Sequence, residues 1–144
     1  MAAGKRNDPY TVFRFLVELD GLVVGGFTEV TGLQAEIETE LYQEGGLNGY
    51  SHLLIKGAKY NNLVLKRGLT DSEALWKWCV ETASGNVKRK NGSIILQDRT
   101  GDEAWRWNFV QAVPVRWTGP DFRADSDTVA FETIELAHYG LSKD

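Results

Sequence analysis

A single cysteine, Cys79, in 144 residues excludes an intrachain disulfide and cannot by itself build a zinc site. Histidine is scarce too. Only His52 and His138 could act as bases, and neither lies in a motif that supports nucleophilic catalysis. There is no nucleophile elbow and no glycine-rich phosphate loop ending in Lys-Ser or Lys-Thr, since Gly25-Gly26 falls inside a strand pattern. No apolar run approaches the roughly 20 residues needed to cross a bilayer, so no membrane insertion is expected. Basic charge is in deficit, with 16 Lys+Arg against 20 Asp+Glu and a net charge of -4, which removes the global footprint of a nucleic-acid reader. The start Met1 to Asp8 lacks a signal-type apolar region, which predicts synthesis in the cytoplasm. These absences predict no enzyme, no cofactor and no metal site.

What is present is ordinary for a folded chain: 42% apolar and 25% charged residues. The length predicts one domain over 1–144, with 1–8 as a flexible arm. Period-two alternation dominates. Phe13, Phe15, Val17 and Leu19 share one face, and Asp20-Gly21 predicts a hairpin into an extended run from Leu22 to Val30. Gly25-Gly26 marks a bulge or a close backbone approach in that run.

Leu33 to Gln43 reads as a long strand, with Leu33, Ala35, Ile37, Thr39 and Leu41 on one face and Gln34, Glu36, Glu38 and Glu40 on the other. Glu44 to His52 is rich in glycine and asparagine and reads as a loop, followed by strand-like sequence from Leu53 to Gly68. Thr70 to Ser84 is the one convincing helix, with a Thr70/Glu73 capping box and Gly85 at the C-terminal cap. Leu75, Trp78, Cys79 and Thr82 form one stripe and Trp76, Val80 and Ala83 a second, so the helix should touch more than its own sheet. Ser93 to Gln97 and Ala104 to Trp117 flank Arg99-Thr100-Gly101-Asp102 as a hairpin, whose second arm aligns Trp105, Trp107, Phe109, Gln111 and Val113. The last strand, Val129 to His138, changes apolar parity near Glu132 to Ile134, which predicts a bulge. The fold class is therefore mainly β, an antiparallel sandwich or barrel with one helix.

Each candidate for chemistry has a plainer reading. Cys79 sits on the helix stripe with Leu75 as a small buried hydrophobe. Trp105 and Trp107 share parity with Phe109, which favours packing over base stacking. Lys88-Arg89-Lys90, just before Asn91-Gly92, reads as a solvated hairpin tip. Glu36, Glu38 and Glu40 recur about 7 Å apart in a row without a pocket, as a solvated strand face does.

Asp8-Pro9-Tyr10, Phe13-Arg14-Phe15, Asp20-Gly21, Gly26-Phe27 and Thr31-Gly32-Leu33, taken in order, resemble the N-terminal half of the phage tail tube protein family. Glu44-Gly45-Gly46, Leu65 to Leu69, Leu75-Trp76-Lys77-Trp78 and Glu135 to Leu141 continue the resemblance over nearly the whole chain. Lys56 before Gly57 departs from the pattern, where many relatives carry proline. The chain looks most like inner tubes of extracellular contractile injection systems and tailocin-like particles. The resemblance implies hexameric rings stacked into a tube inside a contractile sheath, with strands joined into one barrel around the lumen. The implied partners are other copies of the chain, sheath, baseplate or spike and tube-terminator proteins, and an effector protein or DNA as cargo. On that reading Gln34, Glu36, Glu38 and Glu40 line the lumen, while Ala35, Ile37 and Leu41 pack into the protomer core, so that Ile37→Asp would destabilise the fold. Glu44, Gly45, Gly46, Leu47, Asn48, Gly49 and Tyr50 would form a ring or stacking interface, and Leu75, Trp76, Trp78 and Cys79 would pack the helix. The competing readings are a β-sandwich ligand- or carbohydrate-binding module and an enzyme of unrecognised type.

Overall fold

The computed structural model describes residues 14–42, 52–122, 124 and 129–143. Residues 1–8, Phe13 and the segment Glu44 to Tyr50 lie outside them. The first hairpin follows its alternation. β1 (Arg14–Leu19) buries Val17 and Leu19, and Asp20 (φ 52°) and Gly21 (φ 80°) turn the chain into β2 (Leu22–Gly26). Register shifts where Gly25 (φ 129°) faces Val17, which is the bulge that the paired glycines predict. The extended run does not continue as one strand to Val30, however: β3 (Glu29–Thr31) starts anew and pairs with a different partner, β6 (Leu63–Gly68).

β4 (Ala35–Tyr42) and β5 (His52–Tyr60) form a separate two-stranded sheet. Everything else joins one antiparallel sheet. After α1 (Ala74–Ala83) come β7 (Lys90–Gln97), β8 (Glu103–Thr118), β9 (Phe131–Ala137) and β10 (Leu141–Ser142). The order is β2-β1-β7-β8-β9-β6-β3, with β10 also paired to β8. β8 bridges the two halves: its first part pairs with β7, and Val113 to Thr118 pair with β9. Between them Gln111 takes a φ of 54°, and Ala112 and Pro114 become the buried positions. The single parity expected from Trp105 through Val113 therefore breaks at Gln111, because an extra residue there reverses which face each side chain takes.

The two halves close on Val17, Leu63, Leu65, Phe109, Ala112, Ile134 and Leu136, with Leu75 and Trp78 of α1 in the same core. Three further expectations are corrected. β9 carries no bulge: its register with β6 runs unbroken from Leu63↔Leu136 to Gly68↔Phe131. Its inward positions are Glu132, Ile134 and Leu136, and the polar residue fits because Arg67, directly opposite, meets Glu132 at 2.5 Å. Arg67 also donates to the Val24 carbonyl, and Trp117 Nε1 donates to Glu132, so the charges are paired, although Arg67 Nη2 is buried without a hydrogen-bond partner.

Second, Lys88 to Gly92 is not a hairpin tip. β7 runs through Asn91-Gly92, and a Cβ on Gly92 would collide with the Glu18 carbonyl and the Phe109 ring. That glycine serves close approach and not a turn. Third, α1 has no capping box: Glu73 is the N-cap without a side-chain bond, and the Thr70 hydroxyl accepts the Ser72 N–H instead. The C-terminal cap forms as expected. Gly85 (φ 96°) donates to Thr82 O and Asn86 to Glu81 O, the paired bonds of a Schellman motif. Leu75 and Trp78 are buried and Cys79 half-buried, while Trp76 is exposed with its ring 4.7 Å from that of Trp117. The Arg99 to Asp102 hairpin is present, tied by Asp98 Oδ1, which accepts from the N–H groups of Thr100 and Asp102.

Candidate assembly surface

The β4–β5 ribbon leaves the body at a clamped root. Gly32 (φ 94°) precedes it, and a Cβ there would strike the Asn62 carbonyl. The Asn61 amide donates to Gln34 Oε1, and Asn62 Nδ2 donates to Glu135 Oε2 at 2.8 Å. His138 Nδ1 accepts the Gly140 N–H, which places the ring proton on Nε2, where it is donated to Asn61 O at 3.0 Å. The Tyr60 ring lies 5.8 Å from the His138 ring. His138 thus joins the last turn of the chain to the start of the ribbon.

Beyond the root none of the other described residues covers the ribbon. All eight residues of β4 are exposed, and so are those of β5 up to Lys59. Residues directly opposite each other in an antiparallel pair share a face. Ala35/Tyr60, Ile37/Ala58, Thr39/Ile55 and Leu41/Leu53 make one face, and Glu36/Lys59, Glu38/Gly57, Glu40/Leu54 and Tyr42/His52 the other. A bulge at Lys56 keeps these sets in phase, because the register shifts between Glu38 and Thr39. The departure at Lys56-Gly57 is therefore the ribbon's irregular point, with Lys56 Nζ 3.7 Å from Glu40.

The first face is apolar and open to water: Ile37 is 54% exposed, Leu41 71%, Leu53 59% and Ile55 67%. Ala35, Ile37 and Leu41 accordingly do not pack into the protomer core. The expectation that Ile37→Asp would bury a charge in the free protomer falls with that placement. Alternation specified an amphipathic ribbon, but nothing in it specified which surface would cover the apolar side. The second face carries Glu36, Glu38 and Glu40 on one strand as expected, tempered by Lys59 opposite Glu36 and Lys56 near Glu40. Gln34 stands apart from that row, bonded to Asn61 at the root. His52, expected in the loop, opens β5.

Sequence reasoning missed Leu53, Ile55 and Ala58 as members of the apolar face; alternation marks Leu53 and Ile55, but the bulge conceals their continuity with Ala58. A second exposed apolar group lies on α1, where Trp76 and Val80 meet water on the stripe expected to pack. On the sheet, Arg106 bonds Glu103 at 2.7 Å and Glu18 at 3.1 Å, and its guanidinium holds the Glu103 carboxyl below the ordinary carboxylate value. Among the described residues no group of three His, Cys, Asp or Glu side chains could hold a metal ion, and no helix is long and apolar enough to cross a membrane.

A long antiparallel ribbon with one bare apolar face, carried on a separate β body, is the geometry of a part made to be covered by something else. The family model of the T4-like virus tail tube protein gp19 matches residues 11–142. The chain belongs to that family. Solved relatives agree. A chain in the PVC sheath-tube complex, an extracellular contractile injection system in its extended state, is 25% identical with a TM-score of 0.85, over 96% of this chain and 93% of that one. A chain in the anti-feeding prophage tube-terminating cap is 25% identical with a TM-score of 0.87, over 99% and 95%. A third, in the 6-fold symmetrised anti-feeding prophage baseplate, is 25% identical with a TM-score of 0.81, over 96% and 97%. No curated protein matches the chain by sequence. The tail tube chain is thus a structural subunit of an inner tube, and its β-rich fold is that of its relatives.

Proposed function

We propose that this tail tube chain assembles as hexameric rings stacked into the conduit of a contractile injection particle, as one domain without catalytic activity. The observation that carries the reading is the ribbon: an apolar face this exposed is costly for an isolated protomer and becomes favourable once a neighbour covers it. Six-fold symmetry is supported by the baseplate relative, and sheath, baseplate and tube-terminator partners by the assemblies in which its relatives stand. The particle is assembled in the cytoplasm and acts outside the cell, in keeping with the extracellular system among the relatives.

In the ring the charged face of the ribbon, with Glu36, Glu38 and Glu40, turns to the water-filled lumen. The apolar face turns to protein, since a sheet closed into a tube wets one side only. Repeated around a ring the glutamates make a negative wall that does not hold phosphate or acidic cargo, and the cargo is an effector protein or DNA. Glu44 to Tyr50, which lie between β4 and β5 in the sequence, serve contacts between rings or between protomers. Light scattering and negative-stain microscopy of purified protein test the assembly: rings or tubes at high concentration are expected, and a strictly monomeric mass at millimolar concentration would contradict them.

A further inference from the structure

One end of the β body is not closed. Phe15 of β1, Val30 of β3, Leu33 at the ribbon root, Ile94 and Leu96 of β7 and Trp107 of β8 line a cavity of about 150 Å³. All six are apolar, and Phe15, Val30, Leu33 and Trp107 are partly buried against the core behind them. A shallower trough follows on past Leu33 and Trp107 to Ala35 and Leu141, at the foot of the ribbon. An apolar cavity of roughly this volume holds one benzene-sized group, so the opening has room for one large aliphatic or aromatic side chain.

We propose that this cavity receives an apolar side chain from the β4–β5 ribbon of a second copy, with Leu41 or Ile55 as the anchor and the neighbouring ribbon face lying along the trough. The proposal rests on the tube reading and names the two surfaces that meet. Three observations favour a second copy as occupant. The chain has an open apolar hole and, on a separate sheet, a row of apolar side chains that no other described residue covers. The hole lies at the foot of the chain's own ribbon, while that ribbon stands exposed along its length, so its mate is a ribbon arriving from elsewhere.

Area points the same way. Eight paired residues make a ribbon about 27 Å long and roughly 10 Å wide, a footprint near 270 Å². A stable pairwise interface buries about 800 Å² per partner. One ribbon contact is therefore too small to hold a lasting dimer, whereas a head-to-tail contact used twice by every protomer closes a ring. The mating surfaces differ, hole on one side and ribbon on the other, which is the condition for such a heterologous contact.

The test uses the whole chain carrying Cys79→Ser and Leu41→Cys, the new thiol bearing a photo-crosslinking benzophenone. It is mixed with isotope-labelled chain, examined by microscopy, irradiated and digested. Rings together with inter-copy crosslinks to residues 29–33, 94–96 or 105–107 are the expected result. Rings with crosslinks to the helix, to residues 1–13 or elsewhere would overturn the pairing and leave the tube reading standing. Absence of rings from both this variant and the unmodified chain would overturn the two together. If only the variant fails to assemble, the same experiment with the probe at Ile55→Cys decides by the same acceptor residues.

Discussion

β9 and β4 are both strands of alternating pattern, and they meet opposite fates. β9 places Glu132, Ile134 and Leu136 in the interior and its neighbours β6 and β8 on either side. β4 places Ile37 and Leu41 on a face without cover from the described residues and, among those residues, pairs only with β5. One strand buries a glutamate while the other exposes a leucine. Alternation sets which residues share a face, and it is the surroundings that decide whether that face is inside.

The comparison can be broken from the β9 side first. Replacing Glu132 by leucine leaves the Arg67 guanidinium buried without its counter-ion, and should cost on the order of 3–5 kcal/mol in chemical denaturation. The double change Arg67→Met/Glu132→Leu should recover most of that loss, because the charge no longer needs a partner. A single change that costs as little as a surface substitution would show the pair to be solvated. Next in size, Gly92→Ala forces a Cβ against the Glu18 carbonyl and the Phe109 ring and should destabilise by about 1–3 kcal/mol, read from the same unfolding curves.

On the β4 side the expected stability effect nearly vanishes. Ile37→Asp and Leu41→Asp should each shift protomer stability by no more than about 0.5 kcal/mol, because these side chains already meet water. The same changes should abolish rings in negative stain. A large loss of protomer stability would restore the core placement that the free protomer argues against.

The smallest effect is one of pH. Hydrogen bonds from Thr100, Asp102 and Gly101 hold Asp98 below its ordinary value, and the Arg106 guanidinium does the same for Glu103. A carboxyl depressed in the folded state adds stability that is complete above its unfolded value and fades as pH falls through the folded value. Amides of the β7–β8 turn should therefore lose exchange protection only below the ordinary carboxylate range, and Asp98→Ala should remove that dependence at the tip.

Much of this was legible in the residues. Asp20-Gly21 and Arg99 to Asp102 announced their turns, Gly85 its cap, and the alternation of Val17 and Leu19 their shared face. The misreadings share a cause, in that each needed a partner that the local pattern does not name. Glu132 looked like a break in phase because Arg67 is 65 residues away. Gly92 looked like a turn because the Phe109 ring it admits lies on the next strand. Gln111 reversed the parity of β8 without any glycine to signal a bulge. Thr70 and Glu73 had the spacing of a capping box, yet the helix begins only at Ala74. The acidic row of β4 was visible at once, whereas its apolar face was assigned to the wrong cover, because a single chain records the pattern of a surface and not its neighbour.

Hydrogen exchange on free subunits and on assembled tubes tests the central claim most directly. Peptides from β4 and β5 should exchange readily in the free protomer and gain strong protection on assembly, while those of β6 and β9 should be protected in both states. Equal exchange of the ribbon in the two states would contradict the assignment of this ribbon as the surface that assembly covers.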